Sequence, residues 1–183
     1  ELDEGIPKWR DIYINLKSIH LKNTRLTLKA NSSNDNPSSN LKLKVSSSQV
    51  FFSPQSINFK TKGKSIEGGS FNLDGFYKRP QNQLSLLFNS KETLAKEINP
   101  LLDLPLEFQE GKFDSNLQFN LSHNQLQNFT GEATLNQVDL QISNLSRPFQ
   151  KTQGKVIFKD SLLQLDNIQT NFGSISTNFN GVI

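Results

Sequence analysis

Residues 154–183 read GKVIFKDSLLQLDNIQTNFGSISTNFNGVI, and in this stretch the apolar side chains fall on alternate positions. Val156 and Phe158 alternate with Ile157 and Lys159; Leu163 and Leu165 follow, then Ile168, Thr170 and Phe172, then Ile175, Thr177, Phe179, Gly181 and Ile183. A period of two sends successive side chains to opposite sides of a strand, so the stretch predicts a sheet with one apolar face and one wet face.

The same alternation runs back through the chain. Gly111 precedes Phe113, Ser115, Leu117, Phe119 and Leu121 on one face, with Asp114, Asn116, Gln118 and Asn120 on the other. Leu126, Phe129, Ala133, Leu135, Val138, Leu140 and Ile142 continue it toward Pro148. From Asp11, the series Ile12, Ile14, Leu16, Ile19, Leu21, Leu26 and Leu28 predicts two or three strands joined by tight turns such as Lys22-Asn23-Thr24. Residues 31–40, NSSNDNPSSN, have a loop composition. Leu41, Leu43 and Val45 then alternate with Lys42 and Lys44, a run ends at Pro54, and Ile57 and Phe59 open the next strand. Gly68-Gly69 predicts a turn and Asp74-Gly75 a bend after Phe71 and Leu73. Connections this short join antiparallel strands, because a parallel crossover needs a dozen residues or so.

One segment breaks the pattern. Residues 90–102, SKETLAKEINPLL, predict a short helix: Ser90 as N-cap, Glu92 in the first turn, Leu94, Ile98, Leu101 and Leu102 on one side, and Pro100 at the end. Such a helix inserted between two β segments packs on the apolar face or plugs one end of the sheet.

Composition restricts the function. The 183 residues are 34% hydrophobic and include 14 phenylalanines, and the mean hydropathy is −0.52. Any core is therefore thin. The net charge of +3 is too small for long-range steering toward nucleic acid. The phenylalanines also share a face with leucine and isoleucine rather than with lysine, which argues against base stacking, so no nucleic-acid partner is expected. Lys60, Lys62 and Lys64 occupy alternate positions; such a row can meet anionic headgroups, while the plainer reading is a solvated or edge-protecting face. Cysteine is absent, which removes disulfides, thiolate metal sites and cysteine nucleophiles.

Catalytic chemistry is sparse. His20 and His123 lie in different halves, carboxylates such as Asp103, Glu107 and Glu110 fall in segments with no pocket signature, and no nucleophile elbow, zinc-protease motif or phosphate loop occurs. The expectation is a protein that is not an enzyme and uses no cofactor and no metal. No run approaches the roughly 18–20 apolar residues of a membrane span, and the start, ELDEGIPKWRD, lacks an initiator methionine and a signal-peptide core. Residues 1–183 are thus read as a fragment of a longer, repeat-built protein.

Three stretches carry a resemblance. One is 149–183, where VIFKDSLLQL leads to NIQTNFG and a strand closing on FNG. Another is 19–77, with IHLKNTRLTL near its start and GGSFNLDGF near its end. Between them, 84–142 combines the helical segment, a Leu-Pro link and the strands GKFDSNLQFNL and GEATLNQVDLQI. Together they resemble the AsmA-like superfamily and, within it, the TamB-like translocation and assembly module proteins of cell envelopes and their plastid relatives. The resemblance implies a mainly β fold: an elongated antiparallel sheet curled into an open trough with an apolar interior. It implies a location in the periplasm or intermembrane envelope space, anchored in the inner membrane by a segment outside this fragment. It also implies phospholipid acyl chains as cargo, and an Omp85-class outer-membrane protein as a partner through regions outside this fragment.

Two functional readings follow. In the first, Phe113, Leu117, Phe119, Leu121, Leu135, Leu140, Ile142, Val156, Phe158, Leu163, Leu165, Ile175 and Phe179 line a groove for an acyl chain, supporting lipid transfer between membranes, outer-membrane protein assembly, or both. In the second, the same residues close into a dry core and the exposed sheet edges pair client strands by β-augmentation. A surface adhesin or parallel β-helix fits less well, because turn spacing is irregular and a helix interrupts the rungs.

Overall fold

The computed structural model describes residues 17–29, 40–101, 106–123, 125–160 and 162–182. The alternation becomes a single sheet of ten antiparallel strands, each paired with its neighbours in sequence. They are β1 (Ser18–Lys29), β2 (Asn40–Phe52), β3 (Ser56–Ser65), β4 (Ser70–Lys78), β5 (Gln83–Leu94), β6 (Leu106–Ser122), β7 (Gln125–Ile142), β8 (Phe149–Lys159), β9 (Leu162–Phe172) and β10 (Ile175–Val182). β1 and β10 do not pair with each other, so the sheet stays open. Between β5 and β6 lies a 3-10 helix, η1 (Ala95–Leu101). The fold is the expected mainly β trough with an apolar interior. Residues 11–16 of the strand pattern and 31–39 of the loop expected at 31–40 lie outside the described residues, while Asn40, the last residue of that loop, opens β2.

Register assembles the interior face. Val50, Phe59, Gly75, Leu86, Phe119 and Phe129 are successive cross-strand partners from β2 to β7. Two rows along, Ala133 meets Val156 and Val156 meets Leu165. The outer face takes the alternate positions, among them Lys60, Asp74 and Leu87.

Bulges bend the long strands. Glu92, Gln137, Lys151 and Asn167 all have φ between 51° and 54°, and register shifts occur beside each of them. In a two-residue bulge the strand bends and its twist rises, so a band of bulges across β5–β9 curls the sheet. These residues carry side chains in the left-handed region, and neighbouring strands supply polar acceptors there. The Glu92 backbone N–H donates to Asp114 Oδ1 at 2.7 Å, that of Lys151 to Asp139 Oδ1 at 2.7 Å, and that of Asn167 to Asn180 Oδ1 at 2.7 Å. Each acceptor satisfies a donor that the bulge removes from the ladder.

Four local expectations are corrected. The helical segment starts only at Ala95 and is a 3-10 helix described to Leu101, Leu102 lying outside the described residues; Ser90 lies in β5, where its hydroxyl pairs with Ser115, and is not an N-cap. Leu94 also belongs to β5, because Thr93 and Leu94 continue the ladder with Phe113 and Lys112 after the Glu92 bulge. Lys22-Asn23-Thr24 is no turn: β1 is continuous, and Asn23 at φ 52° is a kink that an asparagine tolerates. Asp74-Gly75 lies inside β4, where Gly75 sits beneath the ring of Phe59 and a Cβ would collide with it.

Candidate functional site: the concave apolar face

Two small cores anchor the interior face. Leu43, Val45 and Phe71 are buried with Phe88 packed against them. Ala95 of η1 is buried with Phe113 and Val138, and Ile98, Phe108 and Leu135 complete that cluster. η1 contacts β6, β5 and β2, so it lies over one end of the trough. It is tied to the β3–β4 turn by the Lys96–Glu67 ion pair at 2.8 Å and by the Glu67 N–H donating to Glu97 Oε1 at 3.4 Å. Asn99 clamps it to β6, donating through Nδ2 to the Phe108 carbonyl at 2.6 Å and accepting from the Phe108 N–H at 2.9 Å. The Lys96 ammonium is held above its ordinary value of 10.5, chiefly by its hydrogen bond to Glu67 and that carboxylate's charge.

Away from η1 the face is lined by rings that no element covers among the described residues. Phe119 stacks on Phe129 with centroids 4.8 Å apart, and Phe129 meets Phe158 at 4.7 Å, which makes a ladder across β6, β7 and β8. Toward the other rim, Phe149 packs on Phe172 at 5.2 Å and on Phe179 at 6.3 Å. Offset and edge contacts at these separations are favourable ring geometries. The rings of the ladder are half-buried.

Hydroxyl pairs fill the crowded positions of the same face. Ser48 meets Thr61, Ser90 meets Ser115, and Thr152 meets Thr170, each at 2.8 Å. Thr170 Oγ1 donates onward to the Gln150 carbonyl at 3.2 Å, so Thr152 donates to Thr170. A hydroxyl left without a partner in an apolar lining would cost about 1–3 kcal/mol, and pairing removes that cost. Small hydroxyl residues thus let the lining narrow without exposing unmet polarity.

Every groove residue expected from the sequence lies on this face by register. Phe113 pairs with Leu135, Leu140 with Phe149, Leu106 with Ile142, and Leu121 with Leu84 and Leu126. Leu117 is the partner of Phe88 and Gly131, Phe158 of Leu163, and Val156 of Leu165. Ile175 and Phe179 lie opposite Phe172 and Ile168 at the β10 rim, where they are 64% and 39% exposed. Phe113 stands apart, because η1 seals it into the covered end. Sequence reasoning missed Phe59, Phe88, Phe129, Phe149 and Phe172 as lining. The alternation Phe129, Gly131, Ala133, Leu135 carried the signal for Phe129.

The outer face has a different character. A polar depression of about 330 Å³ is lined by Asn72, Asn89, Lys91, Asp114, Asn116 and Glu132 among others. Its carboxylates are engaged: Asp114 holds the bulge at Glu92, and Glu132 pairs with Lys155 at 3.1 Å. Among the described residues, no three His, Asp or Glu side chains gather as metal ligands. No described helix is long and apolar enough to cross a membrane. No family model, curated protein or solved structure matches the chain.

Proposed function

We propose that the concave face is a hydrophobic conduit segment that shelters phospholipid acyl chains as they move between membranes, in support of envelope assembly. The observation that carries this reading is the half-buried ring ladder Phe119–Phe129–Phe158, continuous with aliphatic lining and without a covering element among the described residues. About 0.8 kcal/mol per methylene favours transfer of an acyl chain out of water, so some fifteen methylenes supply on the order of 12 kcal/mol. A slot lined by leucine and phenylalanine, with its hydroxyls paired internally, receives such a chain without desolvating a polar group. On this reading the protein is a carrier and not a catalyst, needs no cofactor, and works in the space between two membranes. Anchoring and contact with an Omp85-class partner fall to regions beyond this fragment.

The test is native mass spectrometry and lipid extraction of the chain purified gently from a lipid-containing host. Phospholipid at a fixed stoichiometry, lost in Phe119→Asp and Phe158→Asp while the far-UV spectrum stays β-like, is the expected outcome. A lipid-free, stable chain would sink the conduit.

A second reading rests on the β10 edge. Among the described residues this strand pairs only with β9, and Ile175 and Val182 are 64% and 63% exposed. An unpaired edge of this kind accepts a client strand by β-augmentation. A peptide-strand titration that shifts β10 amide protection without displacing lipid would favour it.

A further inference from the structure

Pairing of β1, β2 and β3 gathers on one outer surface the cations that sequence order scatters. Arg25 lies opposite Lys44, and Lys44 opposite Lys64. One row away, Lys22 and Lys62 flank Ser47 on either side. Lys42 and Lys60 extend the array at its two ends, and all of these side chains are exposed. With strands about 4.8 Å apart and rows about 6.8 Å apart, the array measures roughly 10 Å by 20 Å. No acidic residue occurs among the described residues of β1–β3. The ion pairs of the described residues, Lys96–Glu67, Lys112–Glu92 and Lys155–Glu132, all lie elsewhere. Asp74, opposite Lys60, is the nearest counter-charge by register. Like charges placed directly across a ladder destabilise it, so this arrangement works against the fold that displays it.

We infer that the outer face of β1–β3 docks on an anionic phospholipid bilayer. The charges form a two-dimensional array that matches a plane of headgroups, rather than a stripe that tracks one strand of phosphates. Most of them are lysines, compact charges on long stems that reach headgroups at unequal heights. At one end, beyond Lys60, the same face carries Phe51, Phe76 and Leu87 around a depression of about 290 Å³, with Phe51 45% exposed. Exposed apolar groups beside a basic field suit the boundary between headgroups and acyl chains. Past Lys60, Lys78 lies over the Phe76 ring at 5.7 Å to its centroid; within the array itself no phenylalanine, tyrosine or tryptophan stands between the seven cations, so the array offers no alternation of base-stacking and phosphate contacts. This inference stands on the outer face alone and holds whether or not the concave face carries lipid.

Flotation of the chain with vesicles of phosphatidylcholine, and of phosphatidylcholine mixed with phosphatidylglycerol, tests it. Binding is expected to the anionic vesicles only, and to fall away between about 0.1 M and about 1 M salt as the screening length shrinks from about 10 Å to about 3 Å. The double variant Lys44→Gln/Lys62→Gln should bind about thirtyfold more weakly. Lys151→Gln/Lys159→Gln, equal in charge and placed on β8, should change binding less than about threefold by the same per-lysine reckoning. Lys44→Gln alone should melt at the same temperature or higher, since it relieves repulsion from Arg25 and Lys64; that separates lost docking from lost folding. Equal losses in both double variants, or binding to oligothymidylate without binding to anionic vesicles, overturns the inference.

Discussion

The two ends of the concave face are built from the same alternation and finish in different states. Beneath η1, Phe113 and Val138 are 8% and 0% exposed and Ala95 seals them at 1%. Beyond η1, Phe119, Phe129 and Phe158 make good ring contacts yet remain half-buried. The difference teaches that a strand pattern decides which side chains share a face, while a covering element decides whether that face is dry. A dry end holds the sheet together and an uncovered end leaves binding surface.

The comparison breaks most easily with paired truncations. Phe113→Ala is expected to cost about 3–5 kcal/mol, the usual range for a buried phenylalanine. Phe129→Ala, the same chemical change at the uncovered end, should cost about 1–2 kcal/mol, because water already reaches part of that ring. Urea unfolding of both reads the contrast, and equal losses would mean the open end is packed as tightly as the covered one. Phe129→Ala should also release any lipid that the parent retains.

The hydroxyl pairs sharpen the same picture. Ser115→Ala strands the Ser90 hydroxyl and should lose about 1–3 kcal/mol, whereas Ser90→Ala/Ser115→Ala should recover most of it, since removing both partners leaves nothing unmet. A double variant as weak as the single one would refute the pairing as the source. Next in size are the bulge anchors. Asp139→Ala withdraws the acceptor of the Lys151 N–H; a loss of about 1 kcal/mol and faster hydrogen exchange at that amide are expected.

The smallest effect concerns how η1 is tethered. The Lys96 proton is held more tightly in the folded state, because Glu67 accepts its hydrogen bond and adds its charge, with Glu97 and Glu110 assisting and burial opposing. A raised lysine value contributes stability that is complete below 10.5 and is lost as pH climbs through the folded value. The side chains are about half exposed, at 48% and 47%, so the contribution is small. Lys96→Met should therefore be slightly less stable than the parent at neutral pH and indistinguishable from it in strong alkali. A gap that persists there would assign the tether to packing of the lysine stem.

Much of this fold is legible along single strands. Phe113, Ser115, Leu117, Phe119 and Leu121 declare their common face, because the period of two belongs to the extended backbone itself. Legibility fails where the outcome depends on another strand. Residues 90–94 have helical spacing and a plausible cap, yet Thr93 and Leu94 pair with Phe113 and Lys112, and ladder bonds outweigh local preference. Lys151 and Asn167 look like ordinary strand positions; Asp139 and Asn180, more than ten residues away, make them bulges. Phe129 joins the lining through rings on β6 and β8, a relation that no window on its own segment contains.

The sequence by itself determined that this protein is a meander of amphipathic strands, with phenylalanine, leucine and isoleucine turned to one side. Short connections and side-chain alternation are local properties, and local properties survive in a one-dimensional reading. Only the tertiary structure decided where the strands bend, which apolar residues η1 covers, and which hydroxyls meet. It also brought Arg25, Lys44 and Lys64 into a single row from three separate strands. Each of these depends on register between segments, and register is fixed by the summed pairing of whole strands rather than by the residues of any one.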